Sequence, residues 1–234
     1  MNRLIIGDIH GCYDELQELL DRAALSCDEE IIALGDIVDR GPDSPKVLEF
    51  FRTHPKARSL MGNHERKHIR AFRGEIKPSL SQVISRTQWA DAYPAAVAQM
   101  EAFPYFVDLP EATLVHGYLE PGLPLDQQQE VVLAGSLGGS KRLHRRCSDK
   151  ARHWYEMHDG QKPLIVGHQD YGRNHQPVVI PGRFYGIDTS CSRGGALTGI
   201  LLPAFKILSV PSRGDHWSAM KQRFGHLMPA GAEE

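Results

Sequence analysis

Short apolar runs that end on glycine and a polar, metal-competent residue set the strongest limit on how this chain folds. Leu4-Ile5-Ile6 stops at Gly7-Asp8-Ile9-His10-Gly11. The run 31–34 stops at Gly35-Asp36-Ile37-Val38-Asp39-Arg40-Gly41, and 58–61 precedes Gly62-Asn63-His64-Glu65. Thr113-Leu114-Val115 leads to His116-Gly117, and Leu164-Ile165-Val166 to Gly167-His168. The first two runs read as buried strands, and 58–61 as a short strand candidate. Between the first of them the spacing turns helical: Leu16, Leu19, Leu20 and Ala23 follow Tyr13, with Asp14 and Glu15 in the first turn, and Val47, Leu48 and Phe51 follow Ser44-Pro45. Strand, loop and helix in repetition predict an α/β fold.

Further along, Ile84, Trp89, Tyr93, Val97 and Met100 predict a helical insertion over 72–103, interrupted at Pro94 and expected to act as a cap shaping access to a site. Phe106-Val107 reads as a strand. Residues 120–147, rich in Pro, Gln and Gly and then basic, read as a surface excursion, and a helix is expected at about 149–158. Val178-Val179-Ile180 and Phe184-Tyr185-Gly186-Ile187 read as strands of a second, more antiparallel sheet. Residues 196–202 and 206–210 are expected to pair as a closing hairpin around Pro203, and 225–234 read as a frayed tail. No repeat or linker divides the chain, which predicts one domain over 1–234.

Composition removes several function classes. Of the 234 residues, 41% are hydrophobic and 24% charged, so a sizeable core is available and global disorder is excluded. Lys and Arg number 27 against 29 Asp and Glu, a formal charge of −2, which argues against a broad nucleic-acid-binding surface. Cys12, Cys27, Cys147 and Cys191 lack the close paired spacing of a zinc knuckle and are too few to staple a chain of this size. The first residues lack a signal-peptide core, and the apolar stretch 196–210 is broken by Pro203 and Lys206. A soluble cytoplasmic protein without a membrane partner is expected. Twelve histidines direct attention to metals or proton transfer.

The residues at the strand ends form one chemical set. Asp8, His10, Asp36, Asn63, His116 and His168 combine carboxylate, amide and imidazole ligands, which suits two divalent ions of intermediate hardness: manganese first, with iron or zinc as other choices. Asp36 is the natural bridge, because a carboxylate can offer one oxygen to each ion. Two ions a few ångströms apart activate water and clamp the oxygens of an in-line displacement, the chemistry of phosphoric ester or anhydride hydrolysis. Arg40 can pair with phosphate oxygens through two N–H groups. His64 is read as the acid that protonates the leaving oxygen, with Asp39 fixing its tautomer and raising its basicity. The other histidines (54, 68, 144, 153, 158, 175, 216 and 226) are read as structural or surface residues.

Taken in order, the five strand-end motifs resemble those of the calcineurin-like metallophosphoesterases, most closely their phosphoprotein-phosphatase branch, over the chain from its start to about residue 200. The resemblance implies a β-sandwich of two mixed sheets flanked by helices. It implies Asp8, His10 and Asp36 around one ion and Asp36, Asn63, His116 and His168 around the other, with Arg40 as phosphate clamp and His64 with Asp39 as general acid. The family also carries a further phosphate-binding arginine between the last two histidines; Lys141, Arg142, Arg145 and Arg146 are available here, and Arg142 is the choice. Tyr118 stands where many relatives have a small residue, implying a narrower pocket floor.

Gly186-Ile187-Asp188-Thr189 and Gly194-Gly195-Ala196-Leu197-Thr198 resemble a segment shared by phage-type protein phosphatases and symmetrical diadenosine tetraphosphate hydrolases. Val38-Asp39-Arg40-Gly41 and Glu65 point to the protein-phosphatase side, whereas the 191–195 stretch leans the other way. Cys191 is read as packing. The leading expectation is a phosphatase of phosphorylated serine or threonine, with tyrosine as a further target, in proteins or peptides. The alternative is a symmetrical bis(5'-nucleosyl)-tetraphosphatase acting on a dinucleoside polyphosphate, or another nucleotide or RNA-end phosphatase. Trp89, Tyr93 or Tyr118 would then supply a slot for a base. A non-catalytic phosphate-binding scaffold is the third reading, disfavoured because no ligand is missing.

Overall fold

Both faces of the apolar strands are covered, and alternate side chains along each strand enter different cores. In a computed structural model, which describes residues 2–147, 153–158 and 160–227, the chain runs β1 (Arg3–Ile6), α1 (Tyr13–Ala23), β2 (Glu30–Ala33), α2 (Ser44–Thr53), β3 (Ala57–Ser59), α3 (Asn63–Phe72), α4 (Leu80–Trp89), α5 (Tyr93–Glu101), β4 (Phe106–Asp108), β5 (Thr113–Val115), α6 (Glu130–Leu133), α7 (Leu137–Arg146), β6 (Leu164–Val166), β7 (Val178–Ile180), β8 (Phe184–Gly186), β9 (Ala196–Leu202), β10 (Lys206–Pro211) and α8 (His216–Phe224). Two five-stranded sheets result, ordered β10-β9-β1-β2-β3 and β4-β5-β6-β8-β7.

The first sheet pairs β1, β2 and β3 in parallel and adds the antiparallel hairpin β9–β10 against β1. The expected closing hairpin therefore completes the N-terminal sheet. The second sheet has a parallel centre, β5-β6-β8, with antiparallel strands β4 and β7 at its edges, so it is less antiparallel than expected. Successive residues of a strand point to opposite faces. Leu4 and Ile6 accordingly pack with Leu16, Leu19, Val47, Leu48 and Phe51 under the helices, while Ile5 packs between the sheets with Ile32, Leu114, Ile165 and Ile200. Leu164 and Val166 face a third cluster with Phe184 and Tyr155. Each such side chain removed from water contributes about 1.5–3 kcal/mol.

Local signals set the helix starts. The Asp43 side chain accepts the Lys46 N–H at the head of α2, with Pro45 in its first turn, and Asp215 caps α8 the same way through Ser218. The insertion 72–103 is helical, as α4 and α5, and its apolar face joins the core. Trp89, Tyr93, Val97 and Met100 are buried in the same core as β1 and α1, which leaves neither Trp89 nor Tyr93 open to hold a base. The surface excursion carries α6 and α7. Of the helix expected at 149–158, the part outside the described residues is 149–152; within them, Trp154–Met157 is a short 3₁₀ turn. In the expected tail, 225–227 form another such turn, and 228–234 lie outside the described residues. Among the described residues, no helix is long and apolar enough to cross a membrane.

Candidate metal centre

The C-terminal ends of β1, β2, β3, β5 and β6 converge, and the loops that follow them carry every residue of the predicted ligand set. Crevices of this kind, outside the carboxyl ends of parallel strands, are where α/β folds collect polar groups. His10 Nε2 lies 3.9 Å from Asp8 Oδ2 and 3.8 Å from Asp36 Oδ2. His116 Nε2 is 3.4 Å from the same Asp36 oxygen. Asn63 Oδ1 is 3.2 Å from His116 Nε2 and 2.8 Å from His168 Nδ1. Asp8, in turn, accepts the backbone N–H of His168 at 2.8 Å, tying the first sheet's loop to the second's.

This convergence requires unusual backbone. His10, Asp36, Asp39, Arg40 and His168 all lie in the left-handed region, with φ of 50°, 48°, 72°, 65° and 71°. Each such non-glycine conformation costs of order 1–3 kcal/mol and persists only where neighbours hold it. Gly62 permits a close approach: a Cβ there would stand 2.2 Å from Asp36 Oδ1 and 2.4 Å from the Asp36 nitrogen.

Glu65 supplies much of that hold. Its Oε2 accepts the backbone N–H groups of Asp36 at 2.9 Å and Gly62 at 3.0 Å, and its Oε1 accepts those of Ile37 at 2.9 Å and Val38 at 3.4 Å. His10 Nδ1 donates to the Val38 carbonyl at 2.9 Å, which leaves the lone pair on Nε2, where an Arg40 N–H donates at 2.7 Å. His168 uses its Nδ1 edge toward Asn63, and its Nε2 meets the Tyr118 hydroxyl at 3.1 Å. Tyr118 is buried; it buttresses a ligand and lines no slot for a base.

Burial dominates the electrostatics of the centre. Burial pushes the Asp8 carboxyl well above its ordinary range, and the Asp188 and Asp36 charges add to the shift. Burial opposes ionisation of Asp36 as well, but the charges of His116, His64 and His10 outweigh it and hold that carboxyl well below its usual value. Burial, together with the charge of His116, pushes His168 down to about 3. His10, Asp36 and His64 form one group whose candidate ligand atoms all lie within 4.8 Å of one another; Asp36, His116 and His168 form a second. Asp36 belongs to both. His64 Nε2 and His116 Nδ1 are buried without a hydrogen-bond partner, and the donor set mixes oxygen and imidazole nitrogen. The residues fit two divalent ions sharing Asp36. Cys12, Glu15 and Cys191 form a third close group, but Glu15 is already bonded by His216 at 2.7 Å and by the Arg213 N–H at 2.9 Å, and Cys12 donates to the His10 carbonyl.

Beside the ligands, His64 Nδ1 donates to Asp39 Oδ2 at 2.6 Å, and the Nε2 edge lies 4.0 Å from Asp36 Oδ2. Arg40 contacts His10 Nε2 at 2.7 Å, so its guanidinium stands at the rim of the cluster. Arg142 is placed differently: its Nε donates to buried Glu120 at 2.8 Å, Arg146 lies 3.2 Å from the same oxygen, and no described contact brings Arg142 to the ligands. The sequence reading missed Gln82 and left His68 as structural; both bond Asp39. It used Glu65 only as a marker of subfamily, although the four-residue spacing Gly62-Asn63-His64-Glu65 was the available signal of a side chain returning to its own helix start.

Comparison with known proteins agrees with this geometry. The model of the calcineurin-like phosphoesterase family matches residues 1–179. The chain is 29% identical over 239 residues to a bis(5'-nucleosyl)-tetraphosphatase PrpE, asymmetrical, of Halalkalibacterium halodurans, covering 89% of this chain and 93% of that protein; relatives from Geobacillus thermodenitrificans and Bacillus cereus carry the same description. Among solved structures, a protein provisionally assigned as a diadenosine tetraphosphatase superposes with a TM-score of 0.70 at 23% identity, covering 90% of this chain and 93% of its own. A cold-active protein-tyrosine phosphatase of a Shewanella species gives 0.58 at 18%, covering 92% and 78%. At those identities the structures establish the fold alone. The curated relatives correct the placement made from the tail motifs: they are described as asymmetrical, so the 186–198 segment does not put this chain with the symmetrical hydrolases or the phosphoprotein-phosphatase branch. With candidate ligands at the strand ends of both sheets, a carboxylate common to two metal-competent groups and a family match over most of its length, the chain belongs to the calcineurin-like phosphoesterases and is a metal-dependent phosphoric ester hydrolase.

Proposed function

We propose that the protein is a bis(5'-nucleosyl)-tetraphosphatase that cleaves its substrate asymmetrically, releasing a nucleoside triphosphate and a nucleoside monophosphate. The observation that carries this reading is the similarity to relatives of that description along nearly the full length of both chains. Phosphoprotein hydrolysis, the leading expectation from the motifs, has no comparable support. Cytoplasmic action accords with four cysteines and no disulfide among the described residues.

Asp8, His10 and Asp36 would hold one divalent ion, and Asp36, Asn63, His116 and His168 the other, manganese being the choice for this mixed oxygen and nitrogen set. Bound there, the pair would supply Lewis acidity toward phosphoryl oxygens and activate water. The chain's own groups do the rest. Arg40 offers two N–H donors to the phosphoryl oxygens that the ligands do not reach. His64, held by Asp39 with Nε2 turned toward the cluster, delivers a proton to the departing oxygen; Asp39 favours the imidazolium that this donor must be beforehand, against burial and the Arg40 charge, which pull His64 below its ordinary value.

The test is turnover of diadenosine tetraphosphate by manganese-loaded protein, with products resolved by chromatography, beside phosphothreonine and phosphotyrosine peptides. ATP and AMP in equal amounts, at a kcat/KM above that for either peptide, are expected. ADP as the sole product, or faster peptide hydrolysis, would overturn the proposal.

A further inference from the structure

Asp39 carries more than the one histidine it was expected to orient. Its Oδ2 accepts His64 Nδ1–H at 2.6 Å and Gln82 Nε2–H at 2.5 Å, and its Oδ1 accepts His68 Nε2–H at 2.8 Å. Its own N–H is bonded to Ser44 Oγ at 2.9 Å. Since His68 Nε2 donates to a carboxylate, its Nδ1 in the neutral ring is an acceptor, and the Tyr93 hydroxyl stands 3.1 Å from it. The ring of His68 is locked edge-on between Trp89 and Tyr93, with centroids at 5.4 and 5.7 Å. Asp39 and His68 are fully buried, and His64, Gln82 and Tyr93 nearly so.

We infer that His68 is a positioning residue for the reaction, with Tyr93 and Gln82 as its helpers: the network Tyr93–His68–Asp39–His64 carries the orientation of the helical insertion to the imidazole that faces the leaving group. A carboxylate with a single partner can rotate about its Cβ–Cγ bond; one held by three N–H donors on both oxygens cannot, and the imidazole bonded to it inherits that fixed plane. A small misplacement of a proton donor is costly in rate. The network spans three helices. His68 lies one turn beyond His64 on α3, Gln82 comes from α4 and Tyr93 from α5. The insertion thus acts on the chemistry from behind.

This inference rests on His64 being the proton donor, and the experiment separates the two. His68→Leu removes the donor at similar size, His68→Gln restores an N–H, and Tyr93→Phe removes the hydroxyl alone. Each is assayed with p-nitrophenyl phosphate and with phenyl phosphate, whose leaving group needs the proton more, and the low-field proton shared by His64 and Asp39 is followed by NMR. His68→Leu is expected to lower kcat about tenfold on phenyl phosphate and only about twofold on p-nitrophenyl phosphate, with KM and metal content unchanged. The shared proton should be broadened or shifted, and His68→Gln should recover much of the loss. Tyr93→Phe should give a smaller change in the same sense, and serves if His68→Leu fails to fold. Equal losses on both esters, or an unmoved proton resonance with normal kcat, would overturn the positioning role. If His64→Asn itself shows no leaving-group dependence, the proton-donor reading is what fails.

Discussion

Asp36 and Glu65 hold each other's loops. Glu65 Oε2 accepts the backbone N–H of Asp36 at 2.9 Å, while Asp36 Oδ1 accepts the backbone N–H of His64, the neighbour of Glu65, at 2.9 Å. The carboxylate common to both metal-competent groups is therefore oriented by the start of α3, and the start of α3 by that carboxylate. One oxygen of Asp36 is spent on this lock, and the other faces His10, His64 and His116.

Replacing Glu65 by Gln puts an N–H₂ group against backbone donors that need an acceptor. A loss of roughly 2–3 kcal/mol in stability is expected from the unsatisfied buried groups, read as a lower urea midpoint. Metal affinity should fall in parallel, because the left-handed Asp36 backbone loses its support. A wild-type midpoint would show that the loop holds itself.

Asp36→Asn should remove charge from both groups at once. Turnover is expected to fall on the order of 100-fold or more, the several kcal/mol attributed to charge stabilisation at such centres. Metal content measured by elemental analysis should drop below two per chain. Two ions per chain and a near-normal rate would contradict the shared-ligand assignment.

Tyr118→Phe tests the nitrogen of His168 that faces away from Asn63. Hydrogen bonds to the far nitrogen of a ligating imidazole fix its orientation, and their loss costs about 10–100-fold in metal affinity. The variant should need correspondingly more manganese for half-maximal activity, with saturated kcat little changed. An unaltered manganese titration would reduce Tyr118 to packing.

Acid should loosen the contact between α1 and α8. Burial works to raise Glu15, but the bonds from His216 and the Arg213 N–H prevail and pull its carboxyl down to about 2 from 4.5. A group depressed on folding stabilises the native state above its unfolded value and loses that contribution as the pH falls. The loss should begin near pH 4.5 and be complete near pH 2, roughly 1–3 kcal/mol in all. Denaturation midpoints measured across that window should decline less in Glu15→Gln than in the natural protein; parallel curves would remove Glu15 from the account.

The strands that build the site were legible because their chemistry is local. Leu4-Ile5-Ile6 and Leu164-Ile165-Val166 are apolar at every position, as strands between two covered faces must be, and the ligands stand directly after them. Helix α3 was not legible. Its buried residues include His64, Glu65 and His68, so the hydrophobic periodicity that reveals a helix is replaced by polar groups whose burial depends on partners 25 to 29 residues distant. Trp89 and Tyr93 gave the right periodicity, but no pattern within the insertion says whether an apolar face covers a site or a core. The Glu120 partner of Arg142 was not legible, because a basic run carries no record of which carboxylate it will meet.

Ligands from the N-terminal sheet and ligands from the second sheet meet across a seam, and the strands completing the N-terminal sheet come last in the chain. During synthesis, β1 has only β2 beside it until β9 emerges, and Asp8 follows β1 directly. A nascent chain stopped before residue 196 would possess every ligand and yet lack one border of the strand that carries the first of them. The candidate centre is thus a property of sheet registration, finished by residues outside the candidate ligand set, and a chain whose two sheets had slipped by a single residue would separate the two metal-competent groups without altering any of their side chains.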